Sequence, residues 1–195
     1  YEGKKVKKIL SKLSRNQYSI FDLDKDILAN NIYGVDVNKE SVEITKLALW
    51  LKTASKDKEL TALDHNIKCG NSLISDSIIA GQDAFDWNRE FPEILKNGGF
   101  DIVIGNPPYG AKFKNAEKEH LKNLYESYEY QGNSYPLFIE KGVELLNKSG
   151  YLGYITPATF TNQLYYSKIR NLLSRYKIMA VTKYMYKVFN NAETG

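Results

Sequence analysis

The segment Phe100–Gly105, followed directly by Asn106-Pro107-Pro108-Tyr109, constrains the fold of this chain more than any other part of the sequence. The run Asp-Ile-Val-Ile predicts a short buried strand, and Gly105 lets the backbone turn sharply at its end. Two consecutive prolines then make the following loop rigid. Because open α/β sheets bind their ligands at the carboxyl ends of the strands, the sequence predicts a functional loop at this position.

The loop offers two acceptor oxygens beside a flat ring: the Asn106 side-chain carbonyl, the Pro107 backbone carbonyl and the face of Tyr109. An exocyclic amine on a planar ring is a weak nucleophile because its lone pair is delocalised. Acceptors at its N–H bonds would draw the nitrogen toward tetrahedral geometry and stabilise the charge that develops on it. Tyr109 could stack on the ring, which contributes about 1–3 kcal/mol per base. The alternative is a proline-rich turn with a surface tyrosine.

Composition excludes several classes of protein. The 195 residues suffice for one α/β domain and hardly for two, and 43% hydrophobic with 26% charged residues is typical of a soluble protein. We expect no membrane span and no signal peptide, and the single Cys69 favours a reducing cytoplasm. Two isolated histidines, His65 and His120, do not predict a metal site. A net charge of +4 permits nucleic-acid binding without requiring it.

Strand-like and helix-like segments alternate along the chain, which predicts a parallel, doubly wound sheet in one domain. Further strands are predicted at 32–36, 67–69, 151–155 and 178–186. Helices are predicted at 1–16, after Asn38, near 90–96, at 135–147 and at 163–175, with a mobile loop containing a helical piece at 111–131. The helix after Asn38 is predicted to bury Val42, Ile44, Leu47, Ala48 and Leu51.

Polar side chains follow two of the predicted strands. Asp36 could accept both hydroxyls of a ribose, or it could only cap the next helix together with Asn38. Asn71 could bind the edge of an adenine, or it could form an Asx turn. Together with the later loop, these two residues favour a nucleoside cofactor. Phe189 is either a core residue or a second aromatic face opposite Tyr109 for an extruded base.

Taken in order, these segments resemble the gamma-class DNA adenine-N6 methyltransferases, especially the methyltransferase part of type IIG restriction–modification enzymes. The resemblance covers nearly the whole chain from residue 32 onward. The matching segments are Tyr33–Val37, Cys69–Leu73, Gly105–Tyr109 (the Asn-Pro-Pro-Tyr motif), Asn133–Phe138 leading through Gly150 to Thr156–Phe160, and Val188-Phe189.

The resemblance implies a Rossmann-like methyltransferase fold, S-adenosylmethionine as the methyl donor and double-stranded DNA as the substrate. It assigns Asp36 to the cofactor's ribose, and Val37, Asn71, Ser72 and Phe138 to its adenine pocket. It assigns Asn106 and Pro107 to the target amine, and Tyr109 and Phe189 to the two faces of the flipped adenine.

The chain departs from this family's pattern in three ways. Asp36 stands where Glu is frequent, Asn71 stands where Asp is common, and no Gly-x-Gly cofactor loop precedes residue 32. We therefore expect residues 1–195 to be a partial catalytic domain that lacks the first cofactor-binding strand and the last strand. A target-recognition domain would lie elsewhere in a longer parent protein, which could also hold a restriction endonuclease domain, and the fragment alone would be inactive.

Other functions remain open at this stage. The same loop chemistry serves methyltransferases that act on a protein glutamine amide or on guanine amines of ribosomal RNA. These enzymes normally have a short connection after the loop, whereas here about 25 residues separate the loop from Ser134. The segment Thr156–Phe160 and the late Val188-Phe189 also favour DNA adenine. An inactive DNA-binding scaffold is the non-enzymatic alternative.

Overall fold

The computed structural model describes residues 20–53, 62–129 and 133–184, so the helix predicted at 1–16 lies outside the described residues. The chain divides after Gly70 into two compact units, called here unit 1 and unit 2. Within the described ranges, no helix combines the length and apolar character that crossing a membrane would require.

Unit 1 contains two helices and a pair of parallel strands. They are α1 (Ile20–Asn30), β1 (Gly34–Asp36), α2 (Lys39–Thr53) and β2 (Ile67–Cys69). In the register of the pair, Gly34 lies opposite Ile67 and Asp36 opposite Cys69. A small core of Leu28, Val42, Leu63 and Ile67 packs between these elements.

The buried Asn66 ties the end of α1 to the two strands. Its Nδ2 donates to the carbonyls of Ala29, at 2.8 Å, and Ile32, at 3.0 Å, while its own backbone carbonyl accepts from the Gly34 N–H at 2.9 Å. The last carbonyls of a helix have no partner within the helix. The Asn66 amide supplies one for the end of α1.

The prediction of which face of α2 is buried is largely wrong. Val42 is buried as expected, but four apolar residues of the predicted face are exposed: Ile44, Leu47, Ala48 and Leu51. The buried face instead includes Lys46, whose ammonium lies 2.6 Å from Asp64. This hydrogen bond raises the pKa of Lys46 and keeps its charge paired. Because α2 has apolar residues on two faces, periodicity alone could not decide between them.

Unit 2 surrounds a second pair of parallel strands, in which β3 (Phe100–Gly105) lies beside β4 (Leu146–Tyr154) and Gly105 is opposite Tyr154. Its helices are α3 (Ser77–Ala80), α4 (Trp87–Glu90), α5 (Pro92–Lys96), α6 (Asn115–Leu124), α7 (Ser134–Leu145) and α8 (Ser167–Leu173), its strands are β3 (Phe100–Gly105) and β4 (Leu146–Tyr154), and its 3₁₀ turns are Gly81–Asp83, Ala158–Thr161 and Leu164–Tyr166.

The segment after the Asn-Pro-Pro-Tyr loop, predicted as a mobile loop with a helical piece, contains the anchored helix α6. Leu121 of α6 is fully buried, and the Tyr125 hydroxyl donates to the Leu73 carbonyl at 2.9 Å. Tyr125 and Leu121 belong to one core cluster with Leu73, Ile74 and Leu137. Apolar packing therefore fixes the helical part of this segment to the rest of unit 2.

The predicted strands at 32–36, 67–69, 100–105 and 151–155 and their parallel pairing are confirmed, with shifted ends. The burial predicted for the apolar run of the strand at 100–105 is wrong, since Ile102 is 64% exposed and Ile104 is 78% exposed in the described chain. The helix predicted at 135–147 ends at Leu145, where β4 begins directly. The strand predicted at 178–186 is wrong for its described part, because residues 178–184 are irregular and pair with no strand in the described chain. The described strands form two separate pairs, so one doubly wound sheet stays a prediction.

Candidate functional site

The Asn-Pro-Pro-Tyr loop, Asn106–Tyr109, begins at the residue after β3, as predicted. Backbone pairing holds the strand to its last residue, since the Gly105 carbonyl accepts from the Ile155 N–H at 3.2 Å. A Cβ at Gly105 would lie 3.1 Å from the Tyr154 ring, so the strand end and the ring are closely packed. Burial raises the pKa of Tyr154 to about 12 and keeps this phenol neutral at physiological pH.

The two predicted acceptors differ in exposure. Asn106 is exposed, whereas Pro107 is buried. Among the described residues, none donates a hydrogen bond to the Asn106 side chain or to the Pro107 carbonyl. The Asn106 side chain is therefore open to solvent. Pro107 is a buried residue, and its carbonyl keeps its acceptor capacity unused among the described residues.

Tyr109 is half-buried and packs against a buried core cluster of Tyr135, Ile139, Ile169 and Leu172, on which Phe160 and Tyr166 also pack; the aromatic residues of this region other than Tyr109 are called here the aromatic cluster. This aromatic cluster consists of Tyr135, Phe160 and Tyr166, with the Tyr135 ring centroid 5.6 Å from that of Tyr166 and 6.3 Å from that of Phe160. The Tyr135 hydroxyl lies 3.2 Å from the Thr159 hydroxyl, and burial raises the Tyr135 pKa. The packing fixes part of the Tyr109 side chain and leaves its remaining surface for stacking.

Two residues at the start of α7 contact the loop. The buried Ser134 hydroxyl donates to the Pro108 carbonyl. The Gly110 N–H donates to Asn133 Oδ1 at 3.3 Å, and Gly110 adopts a φ of +78°, which favours glycine. Sequence reasoning gave neither Asn133 nor Ser134 a role. The pair Asn-Ser at a helix start suggests capping, yet the Asn133 side chain makes no cap hydrogen bond.

In unit 1, Asp36 and Val37 follow β1. Asp36 Oδ1 accepts from the Asn38 N–H at 2.7 Å, and Asn38 Oδ1 caps α2 by accepting from the Ser41 N–H at 2.7 Å. One oxygen of Asp36 therefore stabilises the turn before α2, whose cap is Asn38, while its second oxygen has no partner among the described residues. Val37 is 58% exposed and presents an apolar surface beside this carboxylate.

In unit 2, Asn71 forms the predicted Asx turn, because its Oδ1 accepts from the Leu73 N–H at 3.0 Å. The Ser72 carbonyl accepts from the Trp87 indole N–H at 3.1 Å. Phe138 of α7 is half-buried and packs on the core cluster that contains Leu73. The structure thus brings Phe138 to the segment that follows Asn71 and Ser72.

Phe189 lies outside the described residues. Within the described chain, no group of three His, Cys, Asp or Glu side chains is placed to hold a metal ion. The arrangement that is described consists of an exposed amide and a packed tyrosine at a strand end. It can accept hydrogen bonds from an amine and contact a planar ring, without a general base.

The sequence matches a model of the family described as Eco57I restriction-modification methylase over residues 30–189. Relatives with reviewed descriptions point the same way. The type II restriction enzyme and methyltransferase RM.Eco57I of Escherichia coli is 34% identical over 203 residues, which cover 95% of this chain and 20% of that protein. The chain therefore spans about a fifth of the length of this relative.

Two further relatives match smaller parts of this chain than RM.Eco57I does. The putative type II restriction enzyme and methyltransferase RM.MjaORFECS2P of Methanocaldococcus jannaschii is 37% identical over 106 residues, 54% of this chain and 9% of that protein. The type II methyltransferase M.VspI of a Vibrio species is 26% identical over 151 residues, 77% of this chain and 31% of that protein. Each relative is thus much longer than the part it shares with this chain.

Proposed function

The chain belongs to the Eco57I restriction-modification methylase family, and from that premise we propose that it carries the catalytic loop of a site-specific DNA methyltransferase. The proposed reaction methylates the N6 amine of an adenine flipped out of the duplex. The observation that carries the proposal is the exposed Asn106 amide, which follows β3 directly, has no partner among the described residues and lies three residues before the half-buried Tyr109.

The proposed chemistry depends on how Asn106 holds the amine. Its carbonyl accepts one N–H bond, the Pro107 carbonyl accepts the other, and the nitrogen lone pair then points out of the ring conjugation. A sulfonium donor would supply the methyl group: the nitrogen lone pair would form the new N–C bond as the C–S bond breaks, the electron pair of the C–S bond would stay on sulfur, and one N–H proton would go to water. Tyr109 stacks on the base and offsets part of the cost of flipping it, which is a few kcal/mol.

S-adenosylmethionine is the proposed methyl donor, and the candidate residues for it are Asp36, Val37, Asn71, Ser72 and Phe138. In unit 1, the second oxygen of Asp36 is available for a ribose hydroxyl, and Val37 offers an exposed apolar surface to an adenine. In unit 2, Asn71 retains one acceptor lone pair and its NH₂ group. Ser72 is the next residue in the chain, and Phe138 packs on the core cluster that contains Leu73. These donors and surfaces suit a nucleoside.

Several broader features complete the proposal. The parallel strand pairs are consistent with a Rossmann-like, doubly wound sheet in the full-length protein. Duplex DNA is the proposed partner. The cytoplasm is the proposed location, because that is where the protein would meet its DNA substrate. A restriction endonuclease domain in the same protein is proposed because RM.Eco57I is described as both a restriction enzyme and a methyltransferase.

Asn106→Ala in the full-length protein tests the function. We expect wild-type protein to transfer tritium from S-adenosylmethionine to unmethylated DNA, with the label recovered in N6-methyladenosine after digestion to nucleosides. The variant should lose at least about 100-fold in the rate of transfer, as when one oxyanion-type partner is removed, and should still bind DNA. Rates of single turnover and DNA binding by gel shift give the two readouts.

Asn88→Ala is the matched control, because Asn88 is also an exposed asparagine of unit 2 whose side chain has no partner among the described residues. Near-normal transfer by the Asn106 variant would overturn the proposed mechanism. Wild-type label in protein or ribosomal RNA, with none in DNA, would replace the proposed substrate. Absence of label in any acceptor would leave a DNA-binding scaffold.

A further inference from the structure

We propose that Asn133 and Ser134 are positioning residues that hold the Asn-Pro-Pro-Tyr loop in the geometry needed for methyl transfer. The inference rests on the proposed function, which it extends to residues that touch neither the base nor the donor. It starts from a property of the loop's own sequence: Pro107 and Pro108 have no N–H to donate. The loop therefore has few internal hydrogen bonds available and depends on contacts from outside.

Ser134 provides one of those contacts. Its side chain is fully buried, and its hydroxyl donates to the Pro108 carbonyl. The buried Ser134 hydroxyl needs a partner, and the carbonyl of the exposed Pro108 supplies it, so the bond ties the loop to the start of α7. Since the bond reaches the carbonyl of Pro108, it leaves the carbonyl of Pro107 and the Asn106 amide without a partner from the described chain.

Asn133 provides the second contact and connects the loop to the aromatic cluster. Its Oδ1 accepts from the Gly110 N–H at 3.3 Å, and its Nδ2 donates to the Tyr166 hydroxyl at 3.1 Å. Tyr166 packs on Tyr135, and Tyr109 packs against the core cluster that contains Tyr135. The segment that follows Pro107 is thus held at Pro108 by Ser134, at Tyr109 by packing and at Gly110 by Asn133.

The consequence for the reaction lies in kcat rather than in binding. Asn106 must place its oxygen within hydrogen-bond distance of the amine, and a misplacement of about 1 Å can reduce a rate about 100-fold. Removing the Ser134 hydroxyl leaves the surfaces proposed for the donor and for DNA unchanged. It removes only one of the contacts that hold the loop in place.

The chain offers a closely matched control. Ser127 is also buried, and its hydroxyl donates to a proline carbonyl, that of Pro136, at 3.2 Å. Ser127→Ala therefore removes the same kind of hydrogen bond from the same unit without touching the loop. A general loss of stability would affect both variants, whereas a loss of positioning would affect Ser134→Ala alone.

The test compares wild type, Ser134→Ala and Ser127→Ala in the full-length protein. Methyl transfer to duplex DNA gives kcat and the KM for S-adenosylmethionine and DNA. Hydrogen exchange of the unliganded proteins, read in peptides covering residues 106–112, reports on the loop without requiring activity. We expect Ser134→Ala to lower kcat about 10- to 100-fold with each KM within about twofold, and to speed exchange in the loop. Ser127→Ala should leave kcat and loop exchange within about twofold of wild type.

Equal kcat values for the two variants, or unchanged loop exchange in Ser134→Ala, would overturn the inference while the proposed function stands. An increase in KM with unchanged kcat would also overturn it, because the serine would then serve binding. Failure of the wild-type protein to methylate adenine would instead reject the proposed function. In that case the exchange data still decide whether Ser134 holds the loop.

Discussion

At the scale of single residues, Asn66 carries a structural role that its side chain alone can fill. Its amide donates to the end of α1, and its backbone pairs with Gly34, so it joins a helix end to a strand. Asn66→Ala should reduce the stability of unit 1 by about 1–3 kcal/mol, because the partly buried carbonyls at the end of α1 lose their donor. Native-state hydrogen exchange of the full-length protein, read in peptides covering residues 20–36, measures this loss.

Asn30→Ala is the control for that prediction. The Asn30 amide also donates to a backbone carbonyl, that of Asp26 at 3.0 Å, but this bond is exposed to water. We expect its loss to change protection by less than about 0.5 kcal/mol, as at other surface sites. Equal effects of the two substitutions would contradict a special role for the buried Asn66.

The residue scale also shows what the sequence can and cannot predict about the site. The positions of Asp36, Asn71 and Asn106 follow from strands that end at turn-forming residues, a local pattern that a sequence displays. The contacts of Ser134 and Asn133 with the loop could not be predicted, because they join residues more than 20 positions apart. Only the folded chain brings them together.

At the scale of elements, the junction between α7 and β4 determines where β3 can begin. Gly99 has a φ of +112°, and a Cβ there would lie 2.6 Å from the Leu145 carbonyl oxygen and 2.8 Å from the backbone carbon of Leu146. Gly98 has a similar φ of +105°, but a Cβ at Gly98 would meet no other part of the described chain within 4 Å. Substitutions at these two neighbouring glycines can thus distinguish the effect of backbone strain, common to both, from that of a steric collision, which only Gly99 would have.

Gly99→Ala should therefore destabilise unit 2 more than Gly98→Ala does. Both substitutions carry strain of about 1–3 kcal/mol from their positive φ, and Gly99→Ala adds a collision with backbone that cannot rotate away. We expect at least about 1 kcal/mol between them, measured by hydrogen exchange in peptides covering residues 100–105 of the full-length protein. Matching losses for the two variants would show that strain alone matters here.

The elements predicted most accurately are those whose local sequence pattern fits one type of secondary structure. The apolar run of β3, ended by Gly105, fits a strand, and a strand is found there. The buried face of α2 was mispredicted because Lys46 lies on it, paired with Asp64 from outside the helix. The apolar segment 178–184 was mispredicted because a strand needs a partner, and it has none in the described chain.

At the scale of the whole molecule, the two units hold different parts of the proposed machinery. Unit 1 has its own core and strand pair and carries Asp36, whereas unit 2 has its own cores and carries Asn106. Substitutions in the two units should therefore change different kinetic constants. Asn106→Ala is expected to lower the rate of transfer, and a change at Asp36 is expected to weaken binding of the methyl donor.

Asp36→Asn distinguishes the role of this side chain in the turn before α2 from its proposed role as a ribose ligand. Asparagine keeps an oxygen that can accept from the Asn38 N–H, so the turn before α2 should survive, but the charge and the second acceptor oxygen are lost. In the full-length protein we expect the KM for S-adenosylmethionine to rise about tenfold, with kcat at saturating donor within about twofold of wild type. Asn38→Ala is the control, because it removes the cap of α2 at Ser41 and leaves the Asp36 carboxylate in place. If Asn38→Ala raised the KM as much as Asp36→Asn does, the carboxylate would matter for the fold of unit 1 and not as a ribose ligand.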